Sequence, residues 1–352
     1  MDKLVDLGER LITEQFLFKR YGQQEDFGDD CCVIPLSKSK CILWTIDPCP
    51  QPMSWMLGFK DYYYFGWLLA TINLSDIAAM GAKPIGLLTS LILPNDTDTK
   101  DFERLLDGVD DACSQAGTKV LGGNIKESTF ISCEATAMGV ANPNQVIRRR
   151  GAKANDLVVV VGDLGLFWSG VLSEKNKIKL PGDERTKVMK NVLTPRAKIK
   201  EGQQISKYTL LSSGLDNSDG IYPSVKELAT RSNVDMILDF SNITWDPEVI
   251  KVSKLLNIEP TRLALGWGDW QLVGTVSENK CDNLINEMSK INTSVHIIGK
   301  VASGSGEVKI RHQKTIGRMS PIDSERFSKK SWFTQGIDSY INDLLNTPLV
   351  SE

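Results

Sequence analysis

The apolar and polar positions of the first 140 residues switch between the period of a strand and the period of a helix. Leu4, Leu7 and Leu11 follow helical spacing and predict an amphipathic helix over residues 1–22. The other predicted elements in this part are strands at 31–34, 41–46, 85–93, 120–124 and 130–140, and helices at 61–80 and 101–116. Their order, β-β-α-β-α-β-β, indicates an α+β domain.

The second half of the chain alternates apolar strands with helices and predicts a second α/β domain. Leu157–Val161 is a continuous apolar run, which suits a strand that is buried on both faces. The predicted strands are 157–161, 208–212, 234–240, 270–276 and 295–301, and the predicted helices are 166–174, 185–193, 196–206, 219–228, 247–255, 279–290 and 331–345. The predicted division is an N-terminal domain at 1–145, a C-terminal α/β domain at 150–320 and a tail at 321–352.

Composition narrows the class of protein. The length of 352 residues predicts two domains. The composition, with 41% hydrophobic and 24% charged residues, is typical of a globular protein. A net charge of −3 argues against a nucleic-acid partner. No apolar run reaches the roughly 18 residues of a membrane span, and the N-terminus lacks a signal-peptide pattern. We therefore expect a cytoplasmic protein without a membrane partner.

Cysteine and histidine usage excludes two further classes of chemistry. The seven cysteines contain no C-x-x-C pair and are expected to be reduced thiols. The histidines, His296 and His312, both lie late in the chain and outside every acidic motif. This arrangement argues against a zinc enzyme and against Ser-His-Asp or Cys-His catalysis.

A carboxylate inside an apolar helix is the strongest chemical signal in the sequence. Asp76 lies in the segment Asn73–Gly81, near the end of the helix predicted over 61–80. A buried charge is costly unless it is paired or binds a metal ion. Further carboxylates follow predicted strand ends in Gly28-Asp29-Asp30, Thr45-Ile46-Asp47 and Asp216-Asn217-Ser218-Asp219.

Carboxylates that are spread over several loops fit a magnesium site that also holds nucleotide phosphates. The pair Gly122-Gly123 would let backbone amides approach phosphate oxygens closely. Each motif alone has a structural alternative, because Asp29-Asp30 fits a capped turn and Asp216–Asp219 fits a helix N-cap. The sequence contains no G-x-x-x-x-G-K-[ST] and no G-x-G-x-x-G, which disfavours the commoner nucleotide folds.

Six segments, taken in order, resemble the thiamine-monophosphate kinase family, whose superfamily includes aminoimidazole ribonucleotide synthetase. The segments are Phe27–Val33, Asn73–Pro84, Leu121–Gly123, Arg150–Lys153, Leu215–Gly220 and Gly266–Leu272. The resemblance implies an ATP- and Mg²⁺-dependent kinase that phosphorylates a small molecule. It also implies a homodimer in which the N-terminal domains form a shared β-barrel, with the C-terminal α/β domain packed beside it.

The resemblance implies three groups of site residues. The implied metal ligands are Asp30, Asp47, Asp76, Asp216 and Asp219, with Thr45 assisting. Among these, Asp76, Asp47 and Asp216 are the expected catalytic residues. The implied nucleotide contacts are Gly122, Gly123, Asn124, Arg149 and Ser218. The implied contacts of the acceptor are Ser54, Trp267, Gly268, Trp270 and Trp332.

Departures from the family pattern concentrate at the acceptor positions. Ser54 lies where the family has a histidine, Trp267 replaces a glycine and Gly268 replaces a substrate-contacting glutamate. At the nucleotide end, Asn124 replaces an aspartate and Ile46 takes the middle position of a Ser-Thr-Asp motif. We therefore expect a different and more apolar acceptor facing the new tryptophans, with core packing as the alternative role of these indoles.

Two other functions remain open at this point. The first is an ATP-dependent synthase or dehydratase that activates an amide or carbonyl oxygen by phosphorylation. The second is a non-catalytic nucleotide-binding paralogue, which the changes at Asn124 and Ile46 motivate.

Overall fold

The computed structural model describes residues 3–22, 27–322, 324, 326–328 and 331–351. The strands of these residues form a five-stranded sheet and a seven-stranded sheet. The first sheet contains β1 (Cys32–Ser37), β2 (Lys40–Pro48), β3 (Lys83–Pro94), β4 (Val120–Ser128) and β5 (Glu134–Ala141). The second contains β6 (Leu157–Val161), β7 (Ser213–Asp216), β8 (Val234–Asp239), β9 (Leu272–Val276), β10 (Val295–Ser303), β11 (Val308–His312) and β12 (Thr315–Arg318).

The helices are numbered in chain order. Those that precede Ala141, the end of the first sheet, are α1 (Glu9–Ile12), α2 (Lys19–Tyr21), α3 (Met53–Met56), α4 (Tyr62–Ala79) and α5 (Thr99–Gln115). Those that follow are α6 (Leu166–Lys175), α7 (Gly182–Leu193), α8 (Ile199–Lys207), α9 (Ile221–Ser232), α10 (Pro247–Leu256), α11 (Pro260–Leu265), α12 (Glu278–Ser289), α13 (Trp332–Gln335) and α14 (Ile337–Asn346). No helix among the described residues has the length and apolar character needed to cross a bilayer.

The five-stranded sheet has the order β1-β2-β5-β3-β4, so β4 lies at one edge. Neighbouring strands are antiparallel except β3 and β4, which are parallel. Along β2, Cys41, Leu43 and Thr45 are buried against the helices, whereas Trp44 and Ile46 are exposed. This alternation gives the sheet one face that packs on α4 and an opposite face that is apolar and exposed in the single chain.

The seven-stranded sheet has the order β12-β11-β8-β10-β6-β9-β7. Its interior strand β6 pairs with β10 and β9, and four of the five residues of β6 are fully buried valines. This burial on both faces agrees with the continuous apolar run of the sequence. The last strand in the order, β7, ends on Asp216 at the edge of the sheet.

Helix α4 connects the cores of the two sheets. Every residue from Phe65 to Ala79 is buried, which explains why the helix is apolar on all sides. Leu68 and Ile72 belong to the core of the seven-stranded sheet, while Leu69 and Leu74 belong to that of the five-stranded sheet. The polar residues near the end of α4 therefore lie where the two sheets meet.

Several sequence predictions about local structure were wrong. The strand predicted at 208–212 is a turn, in which Thr209 has a φ of 47°, and the strand instead covers β7. The tail helix is interrupted at Gly336, whose φ is 85°. The elements α3, α11, β11 and β12 were not predicted, because they are short and lack long apolar runs. The helix predicted over 1–22 begins at residues outside the described part and continues as short turns of α, 3-10 and π type.

Candidate active site

The end of α4 holds the end of β2 through Asn73. The side-chain oxygen of Asn73 accepts a hydrogen bond from the backbone N–H of Asp47 at 3.0 Å, and its Nδ2 donates to the Asp47 carbonyl at 3.3 Å. One turn later, Thr45 Oγ1 donates to Asp76 Oδ2 at 2.5 Å. These bonds hold Asp47 and Asp76 next to each other, and the side chain of Thr45 links β2 to α4.

The same turn of α4 also contacts the end of β7. Ser75 Oγ donates to Asp216 Oδ2 at 2.7 Å, and Ser218 Oγ donates to Asp216 Oδ1 at 3.2 Å. Because Asp76 is adjacent to Ser75, the carboxylates of α4 and β7 face a common point. The helix thereby brings together strand ends from both sheets.

Three carboxylates form a group that could hold a metal ion. Oxygen atoms of Asp30, Asp76 and Asp216 all lie within 4.8 Å of one another. Asp30 Oδ1 accepts a hydrogen bond from Arg149 at 2.6 Å, whereas its buried Oδ2 has no hydrogen-bond partner among the described residues. An unpartnered carboxylate oxygen inside a cluster of carboxylates fits the hard-oxygen coordination of Mg²⁺.

The electrostatics of the cluster favour bound cations. Burial, together with the charge of Asp30, raises the pKa of Asp216 to about 7. Burial also raises the pKa of Asp47 to about 6, with a further contribution from Asp219. The pKa of Asp76 lies well above its usual value, because the group is buried and faces Asp47 and Asp216. A divalent cation would offset both the burial and the mutual repulsion.

Two arginines approach the cluster from the segment between the sheets. Arg149 donates to Asp30 and lies 3.6 Å from Glu227, and Arg148 pairs with Asp29 at 3.0 Å. Arg149, which the sequence predicts as a nucleotide contact, thus lies beside Asp30 of the carboxylate group. An arginine next to a carboxylate group can contact a phosphate that the metal also contacts.

Two cavities meet at the cluster. The larger has a volume of about 1080 Å³ and is lined by Asp30, Thr45 and Arg149 among others. The smaller, which we call the aromatic cavity, has a volume of about 200 Å³ and is lined by Asp47, Asp76 and Asp216 at one end. Ser218 and Asp219 line both cavities. The carboxylates therefore lie between two spaces that could hold two different ligands.

Tryptophans form much of the aromatic cavity away from the carboxylates. Trp267 stacks on Trp332 with ring centroids 5.0 Å apart and an interplanar angle of 12°. Trp270 and Ser54 also line the cavity. Trp267, Trp270 and Trp332 belong at the same time to the core of the seven-stranded sheet, so these indoles both pack the core and face the cavity.

Gly268 differs from the other predicted acceptor contacts, because it does not line the aromatic cavity. Its φ is 86°, and its backbone N–H donates to the carbonyl of Ser218 at 3.0 Å. The residue therefore supports the loop that follows Asp216. A side chain here would project toward Phe167, whose ring lies 3.3 Å from an added Cβ.

The glycine pair lies away from both cavities. Gly122 and Gly123 are inside β4 and not in a loop, and neither they nor Asn124 line the larger or the aromatic cavity. A Cβ on Gly123 would lie 2.2 Å from the carbonyl oxygen of Thr89, so close strand packing alone requires glycine there. The pair therefore lies in an edge strand and not in a loop, and its contact with a nucleotide stays a prediction.

The predictions from sequence did not include the residues that hold the carboxylates in place. Asn73 and Ser75 are both fully buried polar residues of an apolar helix, and this combination could have identified them. Asn217 donates to Asp269 at 2.8 Å beneath the loop that carries Ser218. Burial raises the pKa of Asp269 to about 7.

Comparison with known proteins agrees with this arrangement. A family model described as AIR synthase related protein, N-terminal domain, matches residues 28–141. The chain is 30% identical over 256 residues to thiamine-monophosphate kinase of Pyrococcus horikoshii, which covers 72% of this chain and 76% of that protein. It is 27% identical over 316 residues to thiamine-monophosphate kinase of Pyrococcus abyssi, covering 89% and 94% of the two chains.

A solved structure extends the likeness over almost the whole chain. It is described as "AaThiL complexed with AMPPCP and TMP", and it matches with a TM-score of 0.79 at 25% sequence identity. The match covers 93% of this chain and 99% of the other. The mixed α/β fold of the two sheets is therefore that of the AIR synthase-like superfamily, and the chain belongs to the thiamine-monophosphate kinase family.

Proposed function

We propose that the protein is an ATP- and Mg²⁺-dependent kinase that transfers the γ-phosphoryl group of ATP to an oxygen of a small molecule. The observation that carries this proposal is the buried group of Asp30, Asp76 and Asp216 between two cavities. Phosphoryl transfer depends mainly on positioning and charge neutralisation, and this group is suited to both. The family membership of the chain supports the same activity.

Five carboxylates would hold the magnesium ions. They are Asp30, Asp47, Asp76, Asp216 and Asp219, and Thr45 would assist through its bond to Asp76. When bound, magnesium neutralises the charge of the triphosphate. The residues fit this role because the cluster is buried and the pKa of Asp47, Asp76 and Asp216 is raised. Asp76, Asp47 and Asp216 would lie closest to the transferred group.

The larger cavity would receive the nucleotide and the aromatic cavity the acceptor. Arg149 and Ser218 line the larger cavity and would contact the phosphates. Ser54, Trp267, Trp270 and Trp332 line the aromatic cavity and would contact the acceptor. In-line transfer requires the acceptor oxygen and the γ-phosphorus to approach each other across the metal site, which is the boundary that the two cavities share.

We further propose a homodimer in which the five-stranded sheets of two copies form a shared β-barrel. The exposed face of the sheet supports it, because Ile34, Trp44, Ile46 and Leu88 on this face are all at least 41% exposed in the single chain. The pairing of Leu88 with Gly122 and of Ser90 with Asn124 puts those β4 residues in register with the same face. Gly122, Gly123 and Asn124 would then contact nucleotide only in the dimer.

The division into domains at 1–145 and 150–320, with a tail at 321–352, is part of the same proposal. It is supported by the separation of the two sheets along the chain, since the first ends at Ala141 and the second begins at Leu157. All seven cysteines remain thiols, which is consistent with a cytoplasmic location.

The acceptor is proposed to differ from thiamine monophosphate. Serine at position 54 and glycine at position 268 remove the polar side chains that the family resemblance implies at the acceptor. Trp267 adds an aromatic surface to the aromatic cavity, which Ser54 also lines and Gly268 does not. A pocket that has lost its polar contacts to one substrate should bind that substrate more weakly.

The test is acceptor-dependent turnover of MgATP, followed by phosphorus NMR with thiamine monophosphate as the first compound and a panel of small alcohols after it. A kinase gives ADP and a new stable phosphate ester or diphosphate. Release of ADP and free phosphate with a new C–N bond or a nitrile would instead support a synthase or dehydratase. Nucleotide binding without turnover of any acceptor would support a non-catalytic paralogue.

A further inference from the structure

Three polar groups of the aromatic cavity are buried without a partner. Ser54 Oγ, Trp267 Nε1 and Trp332 Nε1 have no hydrogen-bond partner among the described residues. The exposed fraction is 1% for Ser54 and 9% for each tryptophan, and all three residues line the cavity. Burying a donor without an acceptor is unfavourable, so such groups in a folded protein indicate a missing partner.

Three other indoles in or against the two cores donate to backbone carbonyls. Trp168 Nε1 donates to the carbonyl of Trp267 at 2.9 Å, and Trp67 Nε1 donates to that of Pro195 at 2.6 Å. Trp55 Nε1 donates to the carbonyl of Asp61 at 2.9 Å. Indoles that only pack the core thus find backbone acceptors in this fold, whereas two that line the aromatic cavity do not.

Most of the charged residues that line the aromatic cavity belong to the carboxylate cluster, namely Asp47, Asp76, Asp216 and Asp219. Glu9 lines the cavity too, and like Asp219 it also lines the larger cavity. Arg326 adds a positive charge, and its carbonyl accepts a hydrogen bond from the Glu9 N–H at 3.0 Å. The remaining wall is built mainly from apolar and aromatic side chains, namely Leu68, Ile72, Phe167, Val192, Leu193, Trp267, Trp270, Trp332 and Phe333. This wall therefore offers hydrogen-bond donors and apolar contact but no carboxylate.

We propose that the acceptor is a small, uncharged, planar molecule with a hydroxyl group and with carbonyl or ring-nitrogen acceptors on its opposite edge. This inference rests on the proposed kinase function. The acceptor atoms would receive hydrogen bonds from Ser54, Trp267 and Trp332, and the ring would pack against the indoles. The hydroxyl would face the carboxylates, where its oxygen bonds to the γ-phosphorus, the bond to ADP breaks and the hydroxyl proton is released.

The chemistry of the wall selects against a cationic acceptor. Aromatic walls alone can bind cations through the faces of their rings. Here, however, a cation would leave three buried donors without acceptors. The carboxylates that line the cavity are those of the cluster and Glu9, which also lines the larger cavity, and the aromatic wall itself contributes none. The cavity of about 200 Å³ also favours a molecule with a single ring over a larger one.

The test is ligand binding to protein labelled with ¹⁵N at its tryptophan indoles, without ATP. The probes are 5-hydroxymethyluracil, which is neutral and carries carbonyl acceptors, benzyl alcohol, which lacks them, and thiamine monophosphate, which carries a cationic thiazolium ring and an anionic phosphate. Spectra of Trp267→Phe and Trp332→Phe assign the two indole signals. We expect 5-hydroxymethyluracil to move both signals downfield and to bind about 100-fold more tightly than benzyl alcohol, because three hydrogen bonds that each contribute about fivefold multiply.

Variants separate hydrogen bonding from packing. Trp332→Phe and Ser54→Ala should each weaken binding of 5-hydroxymethyluracil by roughly fivefold and leave binding of benzyl alcohol unchanged. Trp245→Phe is the control, since Trp245 stacks on Phe240 and does not line the cavity. Ser54→Ala keeps the test valid if a tryptophan variant fails to fold.

Two results would overturn the proposal. One is tighter binding of thiamine monophosphate than of 5-hydroxymethyluracil, and the other is indole signals that none of the three probes moves. Because the measurement needs no turnover, shifted indoles in a protein that never phosphorylates any acceptor would count against the kinase function alone.

Discussion

The carboxylate cluster and the wall of the aromatic cavity are held by different parts of the fold. The cluster is built from the ends of regular elements, with Asp47 on β2, Asp76 on α4 and Asp216 on β7. Trp267 and Trp270 instead lie in the loop between α11 and β9, and Trp332 lies in the tail. Loops and tails can change without disturbing a sheet, so the acceptor end can diverge while the metal end is retained.

The two regions also differ in what satisfies their polar groups. At the cluster, Asn73, Ser75 and Thr45 donate to or accept from neighbouring polar atoms at 2.5 to 3.3 Å. In the wall, Ser54, Trp267 and Trp332 keep unpartnered buried groups. Asp47, Asp76 and Asp216 are thus held by hydrogen bonds within the protein, and Asp30 Oδ2 is the unpartnered oxygen of the cluster among the described residues. For the wall, we propose that a ligand supplies the missing partners.

The largest expected effect belongs to the cluster. Asp216→Asn keeps the shape of the side chain and an acceptor for Ser75, but it removes a negative charge from the metal site. We expect MgATP turnover to fall by about 100- to 1000-fold, which is the usual cost of losing one preorganised electrostatic contact. Asp183→Asn, at an exposed position of α7, is the matched control. Equal turnover in the two variants would contradict the assigned role.

The next effect belongs to the wall. Trp267→Ala removes the ring that stacks on Trp332 and leaves a cavity in the core. We expect unfolding to become easier by about 3 to 5 kcal/mol, and the KM for the acceptor to rise. Affinity for the nucleotide, measured by calorimetry with Mg²⁺, should stay unchanged, because Trp267 does not line the larger cavity. Loss of nucleotide affinity in a variant that remains folded would show that the two regions do not bind their ligands independently.

The stability of the metal-free protein should depend on pH through two buried aspartates, Asp216 of the cluster and Asp269. Asp216 and Asp269 have a pKa of about 7 in the folded protein, above the usual aspartate value. The folded state therefore binds more protons than the unfolded state above about pH 4, and stability falls as the pH rises toward about 7. The metal-free protein should melt at a lower temperature at about pH 8 than at about pH 5. Mg²⁺ should restore more stability at the higher pH. A melting temperature that does not change with pH would contradict the raised pKa values of Asp216 and Asp269.

The sequence predicted the cluster more completely than the wall. Asp76 was identifiable because a lone carboxylate in an apolar helix has no inexpensive structural role. The spatial meeting of α4 with β2 and β7 follows from the burial of α4 between two cores, which no local pattern reports. The role of Gly268 could not be predicted either, because it depends on a backbone bond to Ser218 and on a positive φ.

The smallest expected effect concerns the edge strand. Asn124 is exposed on β4, in register with Ser90, and lies outside both cavity linings. Asn124→Asp restores the family carboxylate and should strengthen Mg²⁺-dependent nucleotide binding by a few-fold in a dimer, since it adds one oxygen charge near the metals. Calorimetry measures the nucleotide affinity, and light scattering on the same sample measures whether the variant is a dimer. A fall in activity in an intact dimer would show that Asn124 has a role of its own.

Calorimetric titration of the wild-type protein with AMPPCP, in Mg²⁺ and again in excess EDTA, tests the central assignment of the carboxylate cluster most directly. Binding should require Mg²⁺ and should release protons near pH 7, because Asp216 loses its proton when a cation binds. Asp216→Ala and Asp47→Ala should remove this Mg²⁺-dependent binding in protein that remains folded. Equal affinity in Mg²⁺ and EDTA, or unchanged affinity in both variants, would contradict a magnesium site at these carboxylates.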